Sequence, residues 1–146
     1  AVAKLFTIGF TKKTAEEFFS KLIKARVKSI IDIRLNNTSQ LSGFAKRNDL
    51  EYFLKEIADI RYIHLPQLCP TNDILEAYKK RKITWDEYEE KFIHLLDQRH
   101  VEKTVNLDLL DHGCLLCSEE KADHCHRRLV GQYLSRTLHN LEIVHL

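Results

Sequence analysis

The sequence has few of the residues that interrupt regular structure, with two prolines and four glycines among its 146 residues. No long linker or low-complexity tract divides the chain, and it contains no internal repeat. Its composition, 44% hydrophobic and 30% charged, is that of a globular protein rather than a disordered one. We therefore expect a single compact domain that spans residues 1–146.

Long apolar runs are also missing. No run approaches the ~18 residues that a membrane-spanning helix needs, and the N-terminal region lacks the hydrophobic segment of a signal peptide. We therefore expect a cytoplasmic protein with no membrane partner. In that compartment the four cysteines are expected to be thiols or metal ligands rather than disulfides.

The sequence lacks a strong charge of one sign, since its net charge is +2 and its pI is near 8.4. Nucleic acid is therefore only weakly supported as a partner. The basic run Lys79-Lys80-Arg81-Lys82 follows an apolar-periodic stretch, where cations favour the dipole of a helix C-terminus. Walker, G-x-G-x-x-G and H-E-x-x-H motifs are absent as well. No cofactor is predicted, and the oligomeric state is left open.

The sequence does contain an alternation of strand and helix patterns. Residues Thr14 and Glu17 form a capping box, as do Thr84 and Glu87, and each box precedes apolar residues at helical spacing. Apolar or β-branched runs predict strands at 4–9, 27–33, 61–65, 113–117 and 141–145. Helices are predicted between them at 14–25, 48–57, 71–81, 84–96 and 123–138, whereas 101–112 is ambiguous.

This alternation predicts the fold class. Strands that alternate with helices are typical of α/β proteins, so we expect a mostly parallel sheet of about five strands with helices on both faces. Asn48 or Asp49 is expected to cap the second helix, and Asp123 is expected to cap the last one.

In open α/β sheets ligands bind beyond the carboxyl ends of the strands. That rule selects a set of polar residues at one edge of the predicted sheet before any motif is considered. The substrate-binding candidates are Gly9, Thr11, Asp32, Arg34, Ser39 and Arg127. The catalytic candidates are Cys117, Glu119, Cys125 and His126.

Asp32 and Arg34 alternate along the second predicted strand, so their side chains point to the same side, about 6.5–7 Å apart along the strand. A carboxylate and a guanidinium so placed are expected either to orient an anionic ligand or to form an ion pair that orders the following loop. We expect Asp32 to have a hydrogen-bonding partner in either case, because a buried carboxylate requires one.

The cysteines permit a zinc site, but its geometry is unfavourable. Cys114 and Cys117 flank two leucines in a predicted strand, and residues three apart on a strand face opposite ways. We predict no metal ligands. Cys114 and Cys69 are interpreted as buried core thiols.

Cys117 and Cys125 form the more informative pair, because one ends a strand and the other begins the next helix. We expect the two to lie close together at the sheet edge. A thiol at a helix N-terminus near His and Arg is expected to be exposed, with a lowered pKa. Backbone N–H groups at this helix start, with Arg127 and Arg128, also predict an anion site. The alternative is that both arginines are solvated or paired with Glu119 and Glu120.

Four motifs of the sequence are similar to those of a known family, the domain of unknown function 488 family. They are Thr7-Ile8-Gly9, Asp32-Ile33-Arg34 with Ser39, Leu115 to Glu119, and Cys125-His126-Arg127, and the resemblance runs from Leu5 to His145. It implies a compact α/β domain with its site at the same edge, and it implies no particular reaction. Phe10 stands where many members carry His, so any role of that His is not carried over.

Three functions follow as competing hypotheses. The first is an enzyme acting on a small anionic or nucleotide-like substrate, with Cys117 or Cys125 as the reactive thiol, Glu119 or His126 as acid/base, and arginines as clamps. The second is a non-enzymatic module that binds nucleic acid or protein, with a structural or metal-bound Cys/His cluster. The third is a thiol sensor in which Cys117 and Cys125 form a reversible disulfide.

Overall fold

The structure is a computed structural model that describes residues 2–35, 45–118 and 125–146. Five strands form one sheet in which every neighbouring pair is parallel. They are β1 (Ala3–Gly9), β2 (Ser29–Asp32), β3 (Arg61–His64), β4 (Gly113–Cys117) and β5 (Leu141–His145), and their spatial order is β3-β2-β4-β1-β5. The expected α/β class with about five strands is confirmed.

Six α-helices occur in the described residues: α1 (Ala15–Lys24), α2 (Arg47–Phe53), α3 (Asn72–Lys79), α4 (Trp85–Gln98), α5 (Leu107–Leu110) and α6 (His126–Thr137). A π-helix, Leu54–Ala58, continues α2, and two 3₁₀ turns occupy Pro66–Leu68 and Val101–Lys103. The ambiguous stretch 101–112 is therefore a 3₁₀ turn followed by the short helix α5. No helix in the described ranges has the length and apolar character to cross a membrane.

Helices cover both faces of the sheet. On one face the α1 side chains Phe18 and Leu22 pack with Ile30 and Leu116 in a buried cluster. On the other face a second cluster joins Leu115 to Phe92 and further side chains of α4 and α6. Strand alternation explains the division, since successive residues of β4 contribute to opposite clusters.

The strand order determines where the chain changes direction. From β1 to β2 to β3 the chain moves toward one edge of the sheet, with α1 and α2 on one face. From β3 to β4 to β5 it moves back toward the other edge, with α4 and α6 on the opposite face. The carboxyl end of β4 therefore lies between those of β1 and β2. The helix that follows β4 covers one face of the sheet, whereas the helices that follow β1 and β2 cover the other face. This is a topological switch point, where α/β proteins bind ligands.

Both predicted capping boxes are present: Thr14 Oγ1 accepts from the Glu17 N–H at 3.1 Å, and Thr84 Oγ1 accepts from the Glu87 N–H at 3.2 Å. The predicted cap of α2 at Asn48 or Asp49 is wrong, because the N-cap is Lys46 and makes no side-chain hydrogen bond. Asp49 instead lies in the first turn, where its charge favours the helix dipole.

Ile57, placed by its spacing on the buried face of the second helix, is 52% exposed. The π-helix changes the number of residues per turn after Phe53, so a 3.6-residue pattern no longer predicts the buried side. The predicted cap Asp123 lies outside the described residues. The N-cap of α6 is Cys125, which makes no side-chain capping hydrogen bond.

Candidate functional site: a Cys/His cluster at the switch point

Three strand ends meet at the candidate site. In the parallel pairing of β1 with β4, Gly9 is the partner of Cys117. Beyond the strands, the Thr11 N–H donates to the Ser118 carbonyl at 2.9 Å, and the Ile33 N–H donates to the Leu116 carbonyl at 3.3 Å. Backbone hydrogen bonds on both sides therefore fix the position of the end of β4.

Two cysteines and a histidine gather at this end. Cys117 is the last residue of β4, Cys125 is the N-cap of α6 and His126 is its first residue. The Cys125 thiol donates to the Cys117 sulfur with an Sγ–Sγ distance of 2.6 Å, and the Cys117 Sγ lies 3.3 Å from His126 Nδ1. The predicted proximity of Cys117 and Cys125 is confirmed. Cys114 belongs to the cluster on the opposite face of the sheet, as predicted.

The hydrogen bonds of His126 define which ring nitrogen carries a proton. Nε2 lies 2.7 Å from the Ile33 carbonyl oxygen, which can only accept, so Nε2 is the donor. In the neutral ring Nδ1 then presents its lone pair to the Cys117 sulfur. The edge-to-face ring of Phe92, at 5.8 Å between centroids, packs against the imidazole.

The cluster is buried, and the loss of water around it affects the pKa values of its groups. Burial opposes protonation of His126, but the Cys117 sulfur, the Ile33 carbonyl and Asp32 together raise the pKa of His126 above its ordinary value. Burial, followed by the hydrogen bond with Cys117, raises the pKa of Cys125. The opposing effects of Arg127 and its backbone N–H on that pKa are smaller.

The expectation of an exposed Cys125 with a lowered pKa is therefore wrong. Its residue exposure is 2%, and that of Cys117 is 3%. The sequence argument considered the helix terminus and the cationic neighbours but not the loss of water around the thiol.

Beside the cluster, Asp32 and Arg34 form a two-point ion pair. Arg34 Nε and Nη2 donate to the two Asp32 carboxylate oxygens at 2.9 Å each, and the Arg34 backbone N–H donates to Oδ1 at 3.0 Å. Tyr62 adds a hydroxyl donor at 2.5 Å. Burial would raise the pKa of Asp32, but Arg34, followed by Tyr62, lowers it below its ordinary value. The prediction that Asp32 pairs with Arg34, Arg127 or backbone N–H groups is confirmed, with the Arg34 side chain and the Arg34 backbone N–H as partners.

A third thiol, that of Cys69, lies next to this ion pair. Cys69 Sγ donates to the Arg34 carbonyl at 3.5 Å, and His64 Nε2 lies 3.2 Å from the same oxygen. Burial, followed by the charge of Asp32, raises the pKa of Cys69 to about 12. Cys69 is thus the buried thiol that the sequence predicted. Its contacts place it among the polar groups of the site, which the sequence did not indicate.

Sequence reasoning also missed Tyr62 and Phe10 as neighbours of the ion pair. The Arg34 guanidinium carbon lies 5.3 Å from the centre of the Phe10 ring, a cation–π contact. In the register of β2 with β3, Tyr62 is opposite Ile30 and His64 is opposite Asp32. Tyr62 and His64 alternate along β3 toward its carboxyl end. This pattern was the sequence signal that could have identified them as neighbours of the site.

The two arginines at the start of α6, which the sequence predicted to bind an anion, lie in different surroundings from each other. Arg127 is 1% exposed, so the alternative of a solvated side chain is wrong for it. Arg128 pairs with Glu89 of α4 at 3.6 Å and lies over the Trp85 ring. The predicted site residues Ser39 and Glu119, and the alternative partner Glu120, lie outside the described residues.

The arrangement has three chemical capacities. A sulfur beside an oriented imidazole can act as a nucleophile. Two sulfurs in contact can form a disulfide, although all four cysteines are thiols here. The ligand atoms of Cys117, Cys125 and His126 also lie within 4.8 Å of one another, which suits a metal ion.

The fold and the site define a class: a doubly wound α/β protein with a buried Cys/His cluster at the switch point of its sheet. The chain belongs to the family described as Domain of unknown function DUF488, whose family model matches residues 14–134. This confirms the resemblance; Asp32, Cys117, Cys125 and His126 fall inside the match, whereas the Thr7-Ile8-Gly9 motif precedes it. No curated protein and no solved structure matches the chain.

Proposed function

We propose that the protein is an enzyme in which the Cys117 sulfur attacks a small substrate and His126 accepts the thiol proton. The observation that carries the proposal is the orientation of His126: Nε2 donates to Ile33, and Nδ1 lies 3.3 Å from the Cys117 sulfur. A nucleophile, a base and a group that orients the base form the usual signature of covalent catalysis.

In the proposed reaction the Cys117 thiol proton passes to His126 Nδ1, and the sulfur then bonds to an electrophilic atom of the substrate. The leaving group takes the proton back from Nδ1. Two features support a negative charge on the Cys117 sulfur: the Cys125 thiol donates to it, and it lies near the N-terminus of α6, whose dipole is positive at that end.

The substrate class that we propose is small and anionic, as a nucleotide fragment would be. The limited exposure of Cys117 favours a small substrate. The N-terminus of the 12-residue helix α6 favours an anionic one, because its dipole attracts negative groups. Arg34 adds a cation at the same edge, although its Nε and Nη2 are already bonded to Asp32.

Residue-resolved alkylation tests this proposal. Reduced, chelator-treated protein is labelled with iodoacetamide, and the four cysteines are quantified by peptide mass spectrometry. We expect Cys117 to react faster than Cys114, which is buried and belongs to the apolar cluster on the opposite face of the sheet. Iodoacetate, the anionic reagent, should show a larger preference for Cys117 than iodoacetamide does. Equal rates at Cys117 and Cys114 would refute the proposal.

A matched variant separates the role of Nδ1 from that of folding. In His126→Gln the amide nitrogen retains a donor for the Ile33 carbonyl, whereas nothing replaces Nδ1. We expect Cys117 alkylation to slow by about 10²-fold or more, the usual contribution of a general base. Cys114→Ala, on the opposite face, should leave the Cys117 rate unchanged. An unchanged rate in His126→Gln would contradict the assignment of the base.

A second candidate function is a thiol redox switch, supported by the 2.6 Å contact between the sulfurs of Cys117 and Cys125. Hydrogen peroxide would oxidise the pair: the two thiols lose two electrons and two protons, and the peroxide becomes two waters. Titration with peroxide should then remove two thiols reversibly, and Cys125→Ser should instead leave a sulfenic acid on Cys117. Retention of all four thiols under this treatment would exclude the candidate.

A further inference from the structure

We infer that Cys117, Cys125 and His126 form a site for a thiophilic metal ion, with Zn²⁺ as the fitting chemistry. Their three ligand atoms lie within 4.8 Å of one another and are buried. They come from the end of a strand and from the first residues of the helix that follows it. Backbone pairing on both sides holds the strand end, so this donor set exists before an ion arrives.

The second observation is the state of the histidine. Metal-binding imidazoles normally donate their other ring N–H to a carbonyl or carboxylate, which fixes the tautomer and aims the lone pair. His126 has this arrangement, with Nε2 donating to the Ile33 carbonyl at 2.7 Å and Nδ1 directed at the Cys117 sulfur. The Asp32–Arg34 pair brackets Ile33 and thereby positions that carbonyl.

The donor types select the metal. Two thiolates and an imidazole suit Zn²⁺ and exclude the hard cations Mg²⁺ and Ca²⁺, which require oxygen ligands. In a tetrahedral zinc site the ligand sulfurs are about 3.8 Å apart, and sulfur and nitrogen are about 3.5 Å apart, from Zn–S and Zn–N distances of about 2.3 and 2.05 Å. The sulfur–nitrogen distance here is 3.3 Å. The sulfurs, now 2.6 Å apart, separate by about 1 Å as zinc displaces the thiol protons.

Within the part of the chain that the structure describes, the donor set has three protein ligands, which leave one coordination position for water or a substrate, as in catalytic zinc sites. Zinc and the proposed electrophile would compete for the same Cys117 lone pair. The site therefore has two mutually exclusive states. In the metal-free state the Cys117 thiol reacts with an alkylating reagent, and in the zinc-bound state it does not. The sequence argument against zinc concerned Cys114 as a ligand, and the structure places that thiol on the opposite face.

Titration of the reduced, chelator-treated full chain tests the inference. Zn²⁺ is measured in competition with a chromophoric chelator, and Co²⁺ serves as a spectroscopic probe. We expect one tight site per chain, and for Co²⁺ both thiolate-to-cobalt charge-transfer bands and the intense d–d bands of a four-coordinate ion. Cys117→Ser, Cys125→Ser and His126→Gln should each lower zinc affinity by more than about tenfold, the effect of losing even a group that only orients a ligand.

Cys114→Ala is the control and should bind zinc like the unsubstituted protein. Far-UV circular dichroism establishes that each variant is folded. Absence of stoichiometric binding, or absence of thiolate-to-cobalt bands in the unsubstituted protein, would overturn the inference, as would equal affinity in Cys117→Ser. Its failure is distinguishable from failure of the proposed nucleophile, because selective alkylation is measured on metal-free protein.

Discussion

Single residues of this site act in pairs, and some of these pairs join positions that are far apart in the sequence. His126 lies 93 residues beyond Ile33, yet its Nε2 donates to that carbonyl. Asp32 is fully buried and is acceptable there only because Arg34 and Tyr62 supply donors to both oxygens. A change to one member of a pair is therefore expected to act on its partner as well.

Asp32→Ala should destabilise the protein by roughly 3–5 kcal/mol, the cost of leaving one charge of a buried pair without its partner. Urea unfolding measures the difference in free energy. Glu76→Ala is the matched control, since Glu76 pairs with Lys80 at 3.6 Å on an exposed helix face, and such pairs contribute about 0–1 kcal/mol. A loss below about 1 kcal/mol for Asp32→Ala would show that the buried pair does not stabilise the fold.

The same carboxylate gives a pH dependence. The pKa of Asp32 is lowered by Arg34 from an ordinary value of 3.8, despite its burial. A lowered pKa stabilises the folded state above the unfolded-state value, and this stabilisation is lost as pH falls through the folded-state value. The difference in unfolding free energy between the protein and Asp32→Asn should be constant from pH 7 to 5 and should narrow below about pH 4. A difference independent of pH down to 3 would contradict this.

At the scale of secondary structure, the close approach of α5 to the sheet constrains the start of β4. A Cβ at Gly113 would lie 2.8 Å from the Leu109 carbonyl oxygen and 2.9 Å from Ile31 Cδ1. The atoms nearest to a Cβ at Gly131 of α6 belong to the Ile143 side chain, the first of them at 3.2 Å. The first contact involves backbone, which cannot move without shifting α5.

Gly113→Ala is therefore expected to destabilise the protein by about 1–3 kcal/mol, the usual cost of overpacking. Gly131→Ala should cost less, because Ile143 can adjust and alanine favours a helix by about 1 kcal/mol over glycine. Chemical denaturation of both variants compares them. If Gly131→Ala is the more damaging of the two, the close approach of α5 is not what restricts Gly113.

The elements also show what sequence can predict. The apolar run 113–117 and the two capping boxes are local signals, and the structure contains all three. The strand-end rule located Cys117 and Cys125 because topology places strand ends together. The burial of Cys125 and the contacts of Tyr62 and Cys69 depend on residues far away in sequence, for which no local pattern exists.

For the whole molecule, two buried clusters on opposite faces of the sheet supply the hydrophobic stabilisation. The Cys/His cluster lies at the carboxyl end of the central strand β4, where its imidazole packs against Phe92 of the apolar core. Folding therefore depends on apolar burial, whereas the site depends on the switch point that the fold creates.

Removal of metal with a strong chelator should leave the secondary structure unchanged, because the core does not need an ion to form. Far-UV circular dichroism before and after chelation provides the measurement. Zinc should raise the thermal midpoint without changing the spectrum, since a ligand of the folded state stabilises it. Loss of the helical signal on chelation would mean that the metal is structural and would favour a non-enzymatic module.

The central claim is that His126 presents Nδ1 to Cys117 while Nε2 remains bonded to Ile33. Long-range ¹H–¹⁵N NMR of the reduced, metal-free protein measures this directly, since it reports which ring nitrogen carries the proton at each pH. We predict that Nε2 stays protonated throughout the titration and that Nδ1 alone titrates, and that alkylation of Cys117 alters the Nδ1 shift. A ring that keeps its proton on Nδ1 while Nε2 titrates would contradict the claim.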